Sequence, residues 1–84
     1  MAAGRDYEKA FGAVVKRRRE RVGMSQEGLA EAANIHRTHV GFIERGEKAA
    51  SVVVARRIAI ALSVPLSRLV ADVERELQRS APKR

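Results

Sequence analysis

The sequence predicts an all-α fold: one small domain of five short helices. Three features carry that expectation. Ala, Leu, Glu and Arg dominate the chain, and these residues lose little side-chain freedom in a helix. Apolar residues recur at three- and four-residue spacing, and no segment alternates with period two for long enough to demand a sheet. Gly23, Asn34, Gly46 and Pro65 fall where apolar stripes stop or start. The 84 residues leave room for one domain, expected over 1–79, with a flexible tail at 80–84. Such a domain has a thin core, so its helices share one interior or borrow apolar area from a partner.

The first helix is expected from about Asp6 to Arg21, with Phe11, Val14, Val15 and Val22 facing inward and Lys16, Arg17 and Arg21 outward. Gly23 stops it. Ser25 stands at an N-cap position, where its hydroxyl accepts from the free N–H groups of a second helix, 26–33, that buries Leu29 and Ala30. Asn34 tolerates the left-handed backbone that a tight turn requires. The third helix, 37–45, turns Val40 and Ile43 inward, is anchored by Ile35 and is closed by Gly46. Ser51 caps a fourth helix, 52–62, whose stripe is Val54, Ile58, Ala61 and Leu62. Pro65 suits the first turn of a fifth, 65–79, because its missing N–H would have had no partner there.

Charge and composition narrow the function. Seventeen Lys and Arg stand against ten Asp and Glu, a net charge of +7, and a field of that sign attracts polyanions. Tyr7, Phe11 and Phe42 are the only aromatic residues, too few for a platform that stacks single-stranded bases, so duplex is favoured. No Cys is present, and His36 and His39 have no third ligand beside them, so neither a metal nor another cofactor is expected. No apolar run approaches the roughly 20 residues of a membrane span, and Phe11–Val15 is too short for a signal segment, so the expected compartment is the cytoplasm. No nucleophile–base pair, paired carboxylates or Gly-rich phosphate loop stands out, and no enzymatic activity is expected.

The second and third helices form the shortest pair, with only Asn34 to His36 between them. A short helix with an apolar inner face and a polar, exposed N-terminus fits the major groove, where each base pair presents its own donor and acceptor pattern. Arg37, Thr38 and His39 occupy that first turn. An arginine there pairs bidentately with guanine, worth about 1–3 kcal/mol of discrimination. Gln26, opening the second helix, is placed to grip a phosphate, and Arg45 and Lys48 to hold the DNA backbone. On spacing alone, Arg37, His39 and Gln26 fit a plain solvated surface equally well. Phe42 fits core, interface or exposed surface.

Taken together, Ser25-Gln26-Glu27-Gly28-Leu29-Ala30 followed by Ile43-Glu44-Arg45-Gly46 resembles the xenobiotic-response-element family of helix-turn-helix regulators, which includes the lambdoid repressors and Cro proteins. The stretch His36–Arg45 is similar, more weakly, to the controller proteins of restriction–modification systems. The resemblance implies a lambda-repressor-like DNA-binding fold and a transcription regulator bound to double-stranded DNA, with RNA polymerase a further candidate partner. It implies that Gln26 touches phosphate, that Arg37 and Thr38 lead base reading with His39 beside them, and that Arg45, Lys48 and Ser51 touch the DNA backbone. It also implies an ion pair between Arg19 and Glu44. Four positions depart from the family: Asn34 stands for a usual glycine, His36 for a usual Ser, Thr or Asp cap, Arg18 for an aliphatic residue, and Gly28 for the Glu or Gln of a capping box. The Arg18 stem is expected to cover core while its charge reaches outward.

One recognition helix offers about three base-reading side chains, too few against a genome of competing sites, which argues for a homodimer on an inverted repeat. Leu66, Leu69, Val70, Val73 and Leu77 exceed what one small core absorbs and are the expected dimer interface. The alternative class is a protein-interaction module, either an antitoxin or a bridging cofactor.

Overall fold

The computed structural model describes residues 5–80. Its five helices are α1 (Asp6–Arg21), α2 (Gln26–Ala33), α3 (Arg37–Glu44), α4 (Val52–Ala61) and α5 (Leu66–Ser80), with no strand among the described residues. Pro65 sits just before α5 rather than inside it, and its carbonyl accepts from the Leu69 N–H at 3.2 Å to open the helix. The tail expected at 80–84 lies, beyond Ser80, outside the described residues.

One device ends each of the first four helices. A residue in the left-handed region follows the last turn, and two N–H groups reach back to carbonyls left free in that turn. Gly23 (φ +74°) ends α1, with Met24 N–H bonded to Arg19 O at 3.0 Å. Asn34 (φ 58°) ends α2, with Ile35 N–H on Ala30 O at 2.9 Å. Gly46 ends α3 and Ser63 ends α4, through Glu47 N–H on Phe42 O and Val64 N–H on Ala59 O, each at 2.9 Å. Short connections follow, because every chain reversal is completed within the helix end itself. Side-chain caps start two helices: Ser25 Oγ accepts from Gly28 N–H at 2.9 Å, and Ser51 Oγ from Val54 N–H at 3.1 Å. His36 occupies the N-cap position of α3 but contributes no side-chain bond.

The interior is one cluster. Phe11, Val14 and Val15 of α1 meet Leu29 of α2, Val40 and Ile43 of α3, Ile58 of α4 with Leu62 just after it, and Leu69 and Val73 of α5. Val22, expected inside, is exposed: it lies in the turn after α1, beyond the reach of the α1 stripe. Leu69 and Val73, expected at a dimer interface, are fully buried in the chain's own core. They fill the space between α1 and α4, so they present nothing to a second copy. Leu66, Val70 and Leu77 are half-buried. Besides Tyr7 and Val22, the large apolar side chains left in water lie on α4: Val52, and Val53 and Ile60, which are 61% and 57% exposed.

Arg18 also departs from expectation. Its guanidinium, half-buried, turns across to α5, where Nε donates to Asp72 Oδ2 at 2.8 Å. Arg75 donates to the other oxygen of the same carboxylate at 2.8 Å, and one turn along, Glu76 accepts from Arg17 and Arg79. Burial alone would raise the Asp72 carboxyl, but the bonds from Arg18 and Arg75 outweigh it and hold the group below its ordinary value of 3.8. Hydrogen bonding from Arg79, joined by Arg17, likewise lowers Glu76. A depressed folded-state value means that both groups stabilise the fold above their unfolded values, and that this contribution fades as pH falls through the folded ones. Asp72→Asn should therefore cost about 1–2 kcal/mol at neutral pH, the exposed Arg75 arm adding little. It should also flatten the acid limb of a stability–pH curve below about pH 4, which urea titrations at stepped pH will read.

Candidate nucleic-acid interface

The α2–α3 pair is held from behind by a polar knot. Arg19 of α1 grips Glu44, at the end of α3, through two bonds: Nε to Oε2 at 2.6 Å and Nη2 to Oε1 at 3.0 Å. The third nitrogen, Nη1, donates to the carbonyl of Met24 at 2.8 Å, in the turn leading to α2. Gln26, the first residue of α2, donates from Nε2 to Glu44 Oε1 at 3.0 Å. One carboxylate thus joins the end of α1, the start of α2 and the end of α3. Side-chain exposures of 10% for Arg19 and 2% for Glu44 place the pair inside the protein. The hydrogen bond that Arg19 donates to Glu44, partly offset by burial, raises its guanidinium above its ordinary value.

This knot changes what Gln26 offers. One of its amide N–H groups is committed to Glu44, so the second N–H and the carbonyl oxygen remain for an outside ligand. Ser51 is similarly engaged, since its oxygen caps α4 and its hydroxyl proton remains to donate.

On the outer side, Thr38 and Phe42 of α3 and Arg45 just after it fall on one stripe at i, i+4 and i+7. Arg37 and Thr38 are exposed at the first turn, and His39 beside them is half-buried. Val40 and Ile43 hold the opposite face in the core. Arg37 faces Glu27 of α2, with Nε 4.0 Å from the carboxylate, an exposed pair of little energetic weight. Phe42 is half-buried, and its ring is overlaid by Arg45 and Lys48, each 5.3 Å from its centre. Arg37, Thr38, His39, Phe42, Arg45 and Lys48 therefore share the side of the molecule served by α3 and its following turn. Among the described residues no group of His, Asp or Glu is placed to hold a metal ion, and no helix is long and apolar enough to cross a membrane.

Four contributors had no sequence signal strong enough to single them out. Gly12 lets α1 meet the α3 backbone directly, since a Cβ there would overlap the Ile43 carbonyl oxygen and come within 2.6 Å of that of Glu44. Glu47 pairs with Arg45. Asp72 and Glu76 have only their i, i+3 spacing to Arg75 and Arg79 to mark them, because their other partners, Arg18 and Arg17, come from the far end of the chain.

Two short helices at a tight turn, with a polar leading edge and a buried Arg–Glu brace, define a helix-turn-helix protein. The helix-turn-helix family model matches residues 15–69, and the chain belongs to that family. The control protein C.MunI of a Mycoplasma species is 35% identical over 72 residues, covering 84% of this chain and 97% of that protein. The crystal structure of the restriction–modification controller protein C.AhdI from Aeromonas hydrophila superposes with a TM-score of 0.72 at 34% identity, over 74% of this chain and 94% of that one. Wild-type C.Esp1396I, another such controller protein, superposes with a TM-score of 0.80 at 26% identity, over 87% of this chain and 95% of that one. The chain is thus a homologue of restriction–modification controller proteins, with their five-helix fold.

Proposed function

We propose that the chain is a sequence-specific, double-stranded DNA-binding transcription regulator of the controller kind, acting in the cytoplasm on an inverted-repeat operator. The observation that carries this reading is the exposed first turn of α3, Arg37 and Thr38, mounted on a helix pair that the Arg19–Glu44–Gln26 knot makes rigid. Base reading demands side chains fixed in direction by the scaffold beneath them. A variant of C.Esp1396I has been solved bound to its operator, which supports the same ligand class here. In this reading Arg37 and Thr38 meet base edges with His39 beside them, while Gln26, Arg45, Lys48 and Ser51 meet phosphates. The activity is binding, with no catalysed reaction, and RNA polymerase is the partner through which binding alters transcription.

Two copies act together, one per half-site. Since Leu69 and Val73 are taken up by the core, the partner surface is α4 with the half-buried edge of α5: Val53, Ile60, Leu66, Val70 and Leu77.

The test compares Arg37→Ala and Lys48→Ala on a duplex selected from random DNA and on an unselected one. Arg37→Ala should lose about 1–3 kcal/mol on the selected duplex and little on the other. Lys48→Ala should weaken both alike and make the salt dependence shallower by about 0.9 in the log–log slope. Equal losses on both duplexes for Arg37→Ala would remove it from base reading.

A further inference from the structure

Arg45 follows α3 directly, and its guanidinium does not extend away from the protein. It folds back over its own helix, with Cζ 5.3 Å from the centre of the Phe42 ring. Nη1 lies over Gly41, where an added Cβ would stand 3.1 Å from it, so the absence of a side chain there leaves the seat open. From the other side Glu47 clamps the group: Nε donates to Oε2 at 3.2 Å and Nη2 to Oε1 at 3.3 Å. That two-pronged geometry is the one by which an arginine holds a phosphate. Lys48 Nζ lies over the same ring at 5.3 Å, so two cations share one aromatic side chain. Glu47 does not issue from a loose loop. Its N–H donates to the Phe42 carbonyl at 2.9 Å, and its own carbonyl accepts from Arg5 Nη1 at 3.1 Å.

We infer that Glu47 is a built-in competitor for DNA phosphate: it occupies Arg45 in the free protein and lowers the chain's affinity for duplex of any sequence. The inference rests on the DNA-binding reading above and deepens it by assigning a control on the backbone contact. The chemistry follows from exchange. To reach a phosphate, Arg45 must give up one set of charge-assisted hydrogen bonds for another, so the contact contributes only the difference between them. For a protein of net charge +7, backbone affinity unrelated to sequence is the term that traps it on the wrong sites. Weakening that term while leaving Arg37 and Thr38 untouched shortens the stay on random DNA.

The test is a double-mutant cycle on the full chain, with binding to operator and random duplexes measured across a salt series. Glu47→Gln, an exposed change that leaves the core intact, should tighten binding to both duplexes by about two- to fivefold. It should also steepen the log–log salt slope by up to about 0.9. In an Arg45→Ala background the same substitution should change nothing, because the group it occupies is gone. An equal gain with and without Arg45 would mean simple long-range charge and would overturn the inference. So would a wild type that binds duplex while Glu47→Gln binds no tighter. A wild type that ignores duplex DNA in dilute salt overturns the regulator reading, and this inference with it.

Discussion

Arg19→Leu is expected to destabilise the fold by about 3–5 kcal/mol, because it leaves the Glu44 carboxylate inside the protein with only Gln26 as a donor. Total stabilities of small domains are about 5–15 kcal/mol, so this single loss removes much of the margin. Glu44→Ala should cost less, near the lower end of that range, since Arg19 keeps its bond to the Met24 carbonyl and has a path to water. Replacing both partners, as Arg19→Leu with Glu44→Leu, should recover most of the stability, because no unpaired charge is then buried. Urea unfolding of the four proteins measures this directly. A double variant as unstable as Arg19→Leu would show that the pair itself, and not the orphaned charge, carries the energy. The functional consequence differs from the energetic one. In the double variant Gln26 has lost its anchor at Glu44, so duplex binding should stay impaired even where the fold recovers.

The second large effect is expected at Gly12. An added methyl would strike carbonyl groups of α3, and backbone inside a helix has no rotamer through which to move aside. Alanine improves intrinsic helix propensity by about 0.8–1.0 kcal/mol, but overpacking of this kind costs about 1–3 kcal/mol and more when backbone must shift. Gly12→Ala should therefore lower stability by at least about 1–2 kcal/mol in spite of the better helix former. Gly41→Ala is the matched control. Its new Cβ meets only the end of the Arg45 side chain, which can shift, so it should keep a helix-propensity gain of up to about 1 kcal/mol and should instead disturb the Arg45 seat. Thermal unfolding of the pair separates the two cases, and a Gly12→Ala protein as stable as the parent would refute the close helix crossing.

Helix positions were legible because their signals are local. Ser25, Gly23, Asn34 and Gly46 act on backbone groups within a few residues, and the exchange of N–H and C=O partners at a helix end involves no distant chain. The leading edge of α3 was legible for the same reason: Arg37 and Thr38 directly follow a turn and precede two inward-facing residues, Val40 and Ile43. Ser63, the fourth left-handed stop, carried no such signal because serine seldom adopts that backbone. The fifth helix shows the limit of pattern reading. Its apolar stripe announces that a face is buried, but spacing does not say whether the cover is the chain's own α1 and α4 or a second molecule.

Where helices begin and end, which faces turn inward and which short pair leads with basic and hydroxyl groups follow from order along the chain, since turns, caps and apolar periodicity act over a few residues. Which residues touch across the fold does not. The choice of Asp72 over water as the partner of Arg18, the commitment of Gln26 to Glu44, the empty space that Gly12 leaves for α3 and the retreat of Leu69 and Val73 into the interior all depend on how closely the helices approach. That approach is set by the joint packing of side chains distant in sequence, and a charge or methyl group finds its neighbours only once the packing is complete.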